Sequence, residues 1–374
     1  MTEFEDDYDK LRILLSPPSA VPLPKNELTE KLLHNIFTEE EAYIIGNGIK
    51  KTIRPTTARK IRKRTGISKK ILKDKLSTME YSAKLIKFGP FYILLPYLPG
   101  FFEFYFTTNR DDPERIKKAG EAHYELIKRG FHAEHASTGY PLYRVIPAVE
   151  PTKKSIEVNQ DLVVQHQILP YEILKKYLSK YKTFAIQPCS CRTAAKLSGN
   201  PCKCTDENFC VSAGILARKV IKDKVGEQVS LEKLMEIMKK AEKEGLVHET
   251  INTSKASMFI CNCCSCCCGF LKTVKELGNY DSITKSNFEP LWDEEKCTLC
   301  DICLNICPMG AIKWIEDSPK DTLEFTYDLC IGCGLCASNC PSNAISLKKV
   351  RNEVPIKGLI GLLRRRKKDR EKVL

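Results

Sequence analysis

One cysteine pattern is written twice in this chain. Cys297, Cys300, Cys303 and Cys307-Pro308 are followed 33 residues later by Cys330, Cys333, Cys336 and Cys340-Pro341. Two residues between sulfurs let the backbone curl so that three thiolates reach three corners of a cube, and the proline then ends the turn. This is the C-x2-C-x2-C-x3-C-P run that holds 4Fe-4S clusters, in which the fourth cysteine ligates the cluster of the other run. The pattern therefore assigns Cys297, Cys300, Cys303 and Cys340 to cluster 1, and Cys330, Cys333, Cys336 and Cys307 to cluster 2. A lone C-x2-C also suits a zinc knuckle. Eight cysteines at a fixed offset, with Ala311-Ile312 and Ala344-Ile345 following in register, weigh against that reading.

Residues 290–350 resemble the bacterial-type dicluster ferredoxin domain, and short strands are expected at 312–315 and 345–347. There is one departure. Asp301 follows the second cysteine of the first run, where the ferredoxin family usually has a small residue and the second run has Gly334. A carboxylate near a cluster disfavours an added electron, so cluster 1 is expected to have the lower potential.

Of nineteen cysteines, eleven lie outside the two runs, in two groups. One is Cys189, Cys191, Cys202, Cys204 and Cys210; the other is Cys261, Cys263, Cys264, Cys266, Cys267 and Cys268. Six cysteines in eight residues are hard to explain as packing. No secretory signal is apparent, so a cytoplasmic compartment is expected and disulfides are not, and adjacent cysteines suit disulfides poorly. Metal ligation is the leading reading, by zinc or by one or two further 4Fe-4S clusters. A site drawing ligands from both groups is an alternative, because Cys189 and Cys261 each follow a strand-like segment, 183–186 and 258–260. Cys210 precedes a helical run expected over 211–222, whose N-terminus would stabilise an anionic cluster; plain packing explains that helix equally well.

The segments Gln187-Pro188-Cys189-Ser190-Cys191-Arg192, Pro201-Cys202, Cys210, Glu244-Gly245-Leu246-Val247-His248 and the cysteine block at 260–269 resemble a family of anaerobic multi-cluster 4Fe-4S ferredoxin-like proteins. The resemblance covers residues 85–350. It implies iron-sulfur binding and electron transfer, and supplies no substrate. Cys204 is additional to the first block's four-cysteine pattern, which leaves Cys189, Cys191, Cys202 and Cys210 as ligands there. From the six cysteines of the second block, Cys261, Cys263, Cys264 and Cys267 are taken.

The expected architecture is α+β and multidomain. A flexible acidic, proline-rich arm (1–25) precedes an N-terminal winged-helix-like domain (26–106), a central cysteine-rich α+β domain (107–285), the C-terminal dicluster ferredoxin domain (286–350) and a basic tail (351–374). In 26–106, helices are expected at 27–37, after a capping box led by Thr38, and across a turn at 56–64 and 68–85, with a wing-like hairpin at 88–93. The apolar run 88–102 is too short and proline-broken to cross a membrane and reads as strand and loop. Further helices are expected at 112–129, 169–181 and 230–245. With a hairpin at 246–252 and 258–261, the last would form a second winged-helix-like unit carrying the second cysteine block.

The formal net charge is +13, but each oxidised cluster with its thiolates carries about −2, so two clusters bring the total to about +9. Twelve Lys or Arg stand between Lys50 and Lys75 against one acid, Asp74. That density suits nucleic-acid phosphates, a solvated face or an acidic redox partner. The apolar-then-basic C-terminus can lie on an anionic membrane, though a disordered tail or a strand of partner contact is preferred. His132 and His135 form an i, i+3 pair better suited to a surface or capping role than to ligation. Phosphate-binding, dinucleotide-binding and hydrolase motifs are absent to the eye, and no catalytic residue is assigned. The chain thus reads as an electron carrier or oxidoreductase subunit with redox protein partners, relaying low-potential electrons from the dicluster domain to or from the central region. The alternative is a redox-sensing DNA-binding regulator.

Overall fold

The structure, a computed structural model, describes residues 6–130, 140–152, 174–205, 207–255, 257–315 and 322–372, apart from the side chain of Asp281. The expected pair His132 and His135 lies outside the described residues. Two compact units are formed. The first comprises Met1–Gly139, Cys189–Cys202 and Leu363–Leu374; the second comprises Tyr140–Pro188 and Lys203–Leu362.

The first unit is mainly helical. Its N-terminus, expected as a flexible arm, instead contains the helix Asp6–Leu15, which buries Tyr8, Leu11 and Leu15 at helical spacing. The proline-rich stretch that follows is tied down by the Val21 amide, which donates to the Leu98 carbonyl at 2.9 Å. Asn26 and Thr38 cap the helices Glu27–Ile36 and Glu39–Gly48, the latter through a capping box with Glu41. Strand β1 (Thr56–Thr57) leads into the helices Ala58–Thr65 and Lys69–Tyr81, followed by strands β2 (Ile86–Phe88) and β3 (Phe91–Ile93). These strands form an antiparallel sheet in the order β1-β3-β2.

Beyond Gly100, the N-cap, no Gly or Pro interrupts residues 101–108, and Phe101, Phe102, Tyr105 and Phe106 recur at helical spacing. A helix, Phe101–Thr108, therefore forms, starting within the last two residues of the run 88–102 expected as strand and loop. The helices Pro113–Lys128 and Ser190–Leu197 complete this unit. The C-terminal segment, expected as a tail, forms the helix Leu359–Arg370; Arg366 is buried and donates to the Ser19 carbonyl at 3.0 Å. Among the described residues no helix is long and apolar enough to cross a membrane.

In the second unit, strands β4 (Tyr143–Ile146), β5 (Phe184–Gln187), β6 (Cys210–Ala213), β7 (Glu227–Val229), β8 (Val247–Ile251), β9 (Phe259–Cys263) and β10 (Ile283–Thr284) build one seven-stranded sheet. The order is β10-β4-β8-β9-β6-β5-β7, antiparallel except for the β10–β4 pair. One face packs Ile146, Phe184, Val211 and Ile260 against Leu234 and Met238 of the helix Leu231–Lys243, which Ser230 caps. On the other face Ala185 meets Ala217 and Val220 of the helix Gly214–Lys222. The expected hairpin is present as β8–β9, but not as a separate winged unit, because β8 also pairs with β4 and β9 with β6. Residues 210–213 are strand rather than the start of a helix, so Cys210 stands a full strand away from the helix N-terminus expected to serve it.

The C-terminal module of this unit is small. Strand β11 (Phe288–Trp292) pairs with β14 (Ile345–Lys349), and β12 (Ile312–Trp314) pairs with β13 (Leu323–Phe325). The short helices Ile302–Ile306 and Leu335–Ser338 follow the second cysteine of each run, Cys300 and Cys333, and contain the third, Cys303 and Cys336.

In the first unit the buried Lys84 ammonium lies 2.9 Å from Glu41 and 3.0 Å from Asp111, and Asp111 also accepts from the Tyr105 hydroxyl at 2.8 Å. Lys84→Met keeps most of the side-chain volume but leaves two carboxylates without their shared cation. Chemical denaturation should register a loss of about 3–5 kcal/mol. A loss below about 1 kcal/mol would show that water already compensates the two acids.

Candidate metal centres

The C-terminal module contains two cavities. One is lined by Cys297, Cys300, Cys303 and Cys340 together with Trp314, Leu323 and Ile345. The other is lined by Cys307, Cys330, Cys333 and Cys336 together with Met309, Ile331 and Leu335. The cysteines expected to hold each cluster thus share one cavity, with the fourth thiol crossing over from the other run. The donor sets fit an iron-sulfur group: four thiols surround each space, and the amides of Ala311 and Gly332 donate to Cys307 and Cys330 sulfur at 3.3 and 3.4 Å. Burial pushes the Cys330, Cys333 and Cys336 thiols up, and Cys303 up to about 11, so these sulfurs need a bound cation to be held as thiolates.

Both runs bend through left-handed backbone at matching positions, Leu299 and Asp301 in the first, Gly332 and Gly334 in the second. The second run needs glycine on two counts. A Cβ on Gly332 would stand 2.3 Å from the Phe288 carbonyl oxygen, and one on Gly334 2.8 Å from Leu347 Cδ1. The first run turns towards solvent, where Leu299 is exposed and Asp301 accepts from Trp314 Nε1 at 2.9 Å. There the side chains fit, at a conformational cost of about 1–2 kcal/mol each.

The central cysteines fall into separate sets. Cys189, Cys191 and Cys202 belong to the first unit, where Cys189 precedes the helix Ser190–Leu197 at its N-cap. Cys210 begins β6, opposite Gln187. Cys261 and Cys263 project from β9 to the sheet face that Glu249 of β8 occupies, since Glu249 pairs with Cys261 and side chains alternate along a strand. Cys264, Cys266 and Cys267 lie past the end of β9 and gather with Cys204. The Cys204, Cys264 and Cys266 sulfurs lie within 4.8 Å of one another. Cys266 Sγ is 3.2 Å from Cys264 Sγ and 3.7 Å from Cys267 Sγ. Hydrogen bonding lowers Cys266 to about 6, first through Cys204, while Cys264 raises Cys204 and Cys267. Cys204 and Cys266 were missing from the expected ligand set, and Cys261 and Cys263 stand apart from Cys264 and Cys267. The C-x-C spacing of Cys202 and Cys204 was the available signal for Cys204.

The profile of the 4Fe-4S dicluster domain matches residues 296–344. Among curated relatives, pyruvate synthase subunit PorD of Methanocaldococcus jannaschii is 41% identical over 70 residues, 19% of this chain and 76% of the relative. The same subunit of Methanothermobacter marburgensis is 38% identical over 84 residues, 21% of this chain and 90% of the relative. The chain belongs to the 4Fe-4S dicluster ferredoxin family. Its dicluster domain binds two 4Fe-4S clusters. Hydrogenase-4 component A of Escherichia coli is 31% identical over 88 residues, 23% of this chain and 41% of that protein. No solved structure gives a significant match.

The dicluster domain is fastened to the sheet through Glu242, at the end of the helix Leu231–Lys243. One carboxylate oxygen accepts from the Val149 amide at 2.8 Å and meets His248 Nε2 at 3.1 Å; the other accepts from the Ser338 hydroxyl. Burial opposes ionisation of Glu242, but hydrogen bonds and charge from His248, then Ser338 and Val149, hold its pKa below the usual range. The Ala148 amide also donates to the Cys333 carbonyl at 2.9 Å.

Opposite effects are expected from two matched substitutions. Gly334→Ala, in left-handed backbone against Leu347, should destabilise the dicluster domain by about 1–2 kcal/mol or more, and Asp301→Gly should stabilise it by up to about 1 kcal/mol. Anaerobic denaturation followed by cluster absorbance measures both. Equal effects of like sign would mean that the shared turn geometry does not limit stability.

Proposed function

We propose that this chain is a cytoplasmic electron-transfer protein, acting as a carrier or as the electron-transfer subunit of an oxidoreductase, whose dicluster domain passes low-potential electrons to or from a further metal centre in the cysteine-rich region. The observation that carries this reading is the pair of four-thiol cavities, each completed by a cysteine of the other run. Cys297, Cys300, Cys303 and Cys340 would hold cluster 1; Cys330, Cys333, Cys336 and Cys307 would hold cluster 2. The clusters supply one-electron chemistry when bound. The chain's own residues hold the thiolates, donate amide hydrogen bonds to sulfur and exclude water. In the central region Cys204, Cys264, Cys266 and Cys267 form the densest thiol group, with Cys202 two residues upstream, while Cys189, Cys191 and Cys210 remain ligand candidates. Relatives named as subunits of pyruvate synthase and as a hydrogenase component support a protein redox partner.

Cys300 is exposed, so cluster 1 is the natural point of exchange with a partner. The lysines and arginines of the basic segment 50–75 are exposed except for the half-buried Lys75, while Ile61 and Leu72 between them are buried. The segment follows a helix-turn-helix and hairpin order that suits a winged helix, and it favours an acidic partner surface as the first reading and duplex DNA as the second. Duplex affinity that depends steeply on salt and changes with cluster oxidation would favour the regulator instead.

Anaerobically purified protein should contain at least about eight irons and eight acid-labile sulfides per chain, and Cys297→Ser should lose about four of each. Zinc without sulfide would sink the reading. Asp301→Asn should raise the potential of one cluster by roughly a few tens of millivolts, because it removes a nearby negative charge. A redox titration in which neither wave moves would remove Asp301 from the control of cluster 1.

A further inference from the structure

Strand β8 presents successive side chains to opposite faces of the sheet. His248 faces the helix Leu231–Lys243, whereas Glu249 faces away from it. Across from Glu249 stands Cys261, with Cys263 two residues on, on the same face. The chain returns to this face at Cys268, the N-cap of the nine-residue helix Gly269–Leu277.

Three of these groups are buried, Glu249 at 1% exposed, Cys263 at 7% and Cys268 at 4%, and Cys261 is half-buried. A Glu249 carboxylate oxygen and the Cys263 and Cys268 sulfurs lie within 4.8 Å of one another; Cys261 lies outside that trio but pairs with Glu249 across the strands and hydrogen-bonds with Cys263. Oε2 is 4.0 Å from Cys268 Sγ, while Oε1 is buried with no hydrogen-bond partner. A buried carboxylate oxygen left without a donor costs free energy, and a cation in the pocket would supply the missing partner.

We propose that Glu249, Cys261, Cys263 and Cys268 form a buried site for one divalent cation of the zinc or ferrous type, separate from the dicluster domain and from the thiol group around Cys204. The spacing favours a single ion. Zinc–sulfur bonds of about 2.3 Å set tetrahedral sulfurs roughly 3.8 Å apart, whereas a cubane holds its thiolates outside the corners of a larger cube. The helix N-terminus at Cys268 favours the thiolate. Three thiolates and one carboxylate fill a tetrahedral shell, so the site is structural: it clasps the β8–β9 hairpin to the helix Gly269–Leu277. The assignment needs no sulfide and stands whether or not the dicluster domain transfers electrons.

The test counts zinc, and iron in excess of acid-labile sulfide, in the anaerobically purified full chain. Glu249→Gln and Cys268→Ser should each lose about one such metal while matched iron and sulfide stay unchanged, and Cys204→Ser should retain that metal. An unchanged count in both variants, or loss of iron and sulfide together, overturns the proposal. Should the variants fail to fold, X-ray absorption at the metal edge of the unmodified chain decides. Oxygen in the shell beside sulfur is expected, and an all-sulfur shell overturns the assignment.

Discussion

Glu242 is the point on which the second unit turns. Its carboxylate is buried and accepts from a backbone amide at the start of the segment after β4, from His248 on β8 and from Ser338 of the dicluster domain. Its own backbone carbonyl accepts from Asn339 Nδ2 at 3.0 Å. Ser338 and Asn339 lie between Cys336 and Cys340, one lining each cavity. A single anchor therefore sets the position of thiols belonging to both cavities. A buried carboxylate tolerates this role only because every neighbour donates to it, so the anchor is specific as well as strong.

From that anchor, the alternation of a β-strand does the rest. His248 and Glu249 are adjacent in sequence but face opposite sides of the sheet, one towards Glu242, the other towards Cys261 and Cys263. The same alternation dissolves the puzzle of six cysteines in eight residues. While the chain remains in β9, only every second side chain reaches the Glu249 face; beyond Cys263 it turns, and Cys264, Cys266 and Cys267 meet Cys204 instead. One dense block thus reaches two places whose thiols cannot be exchanged without breaking the strand register.

The two cysteine runs and their strands were legible because their spacing is local: each turn is built from residues within a dozen positions. Helix caps at Thr38 and Ser230 were legible for the same reason. The central cysteines were not, because which of them share a face depends on pairing between β6, β8 and β9, far apart in sequence. Cys210 illustrates the point: Val211 and its neighbours suit a helix or a strand, and pairing to both β5 and β9 decided for the strand. Glu249 carried no sequence signal at all, being one acid among 47. The ends of the chain misled through composition, since acids and prolines at one end and a basic run at the other conceal the buried Leu11, Leu15, Leu362 and Arg366.

The unequal turns of the two runs follow from what each faces. Gly332 and Gly334 let the second run approach Phe288 and Leu347 more closely than a side chain would permit. That close approach half-buries Cys333 and aligns its carbonyl with the Ala148 amide. Burial without compensation would oppose added negative charge there, and amide donors to Cys307 and Cys330 sulfur offset it. The first run has no such constraint, so its turns can carry Leu299 and Asp301, and its opening is left at the surface beside Cys300. The glycines that bind one half of the domain to the sheet thereby leave the other half as the side that an electron-exchange partner can approach.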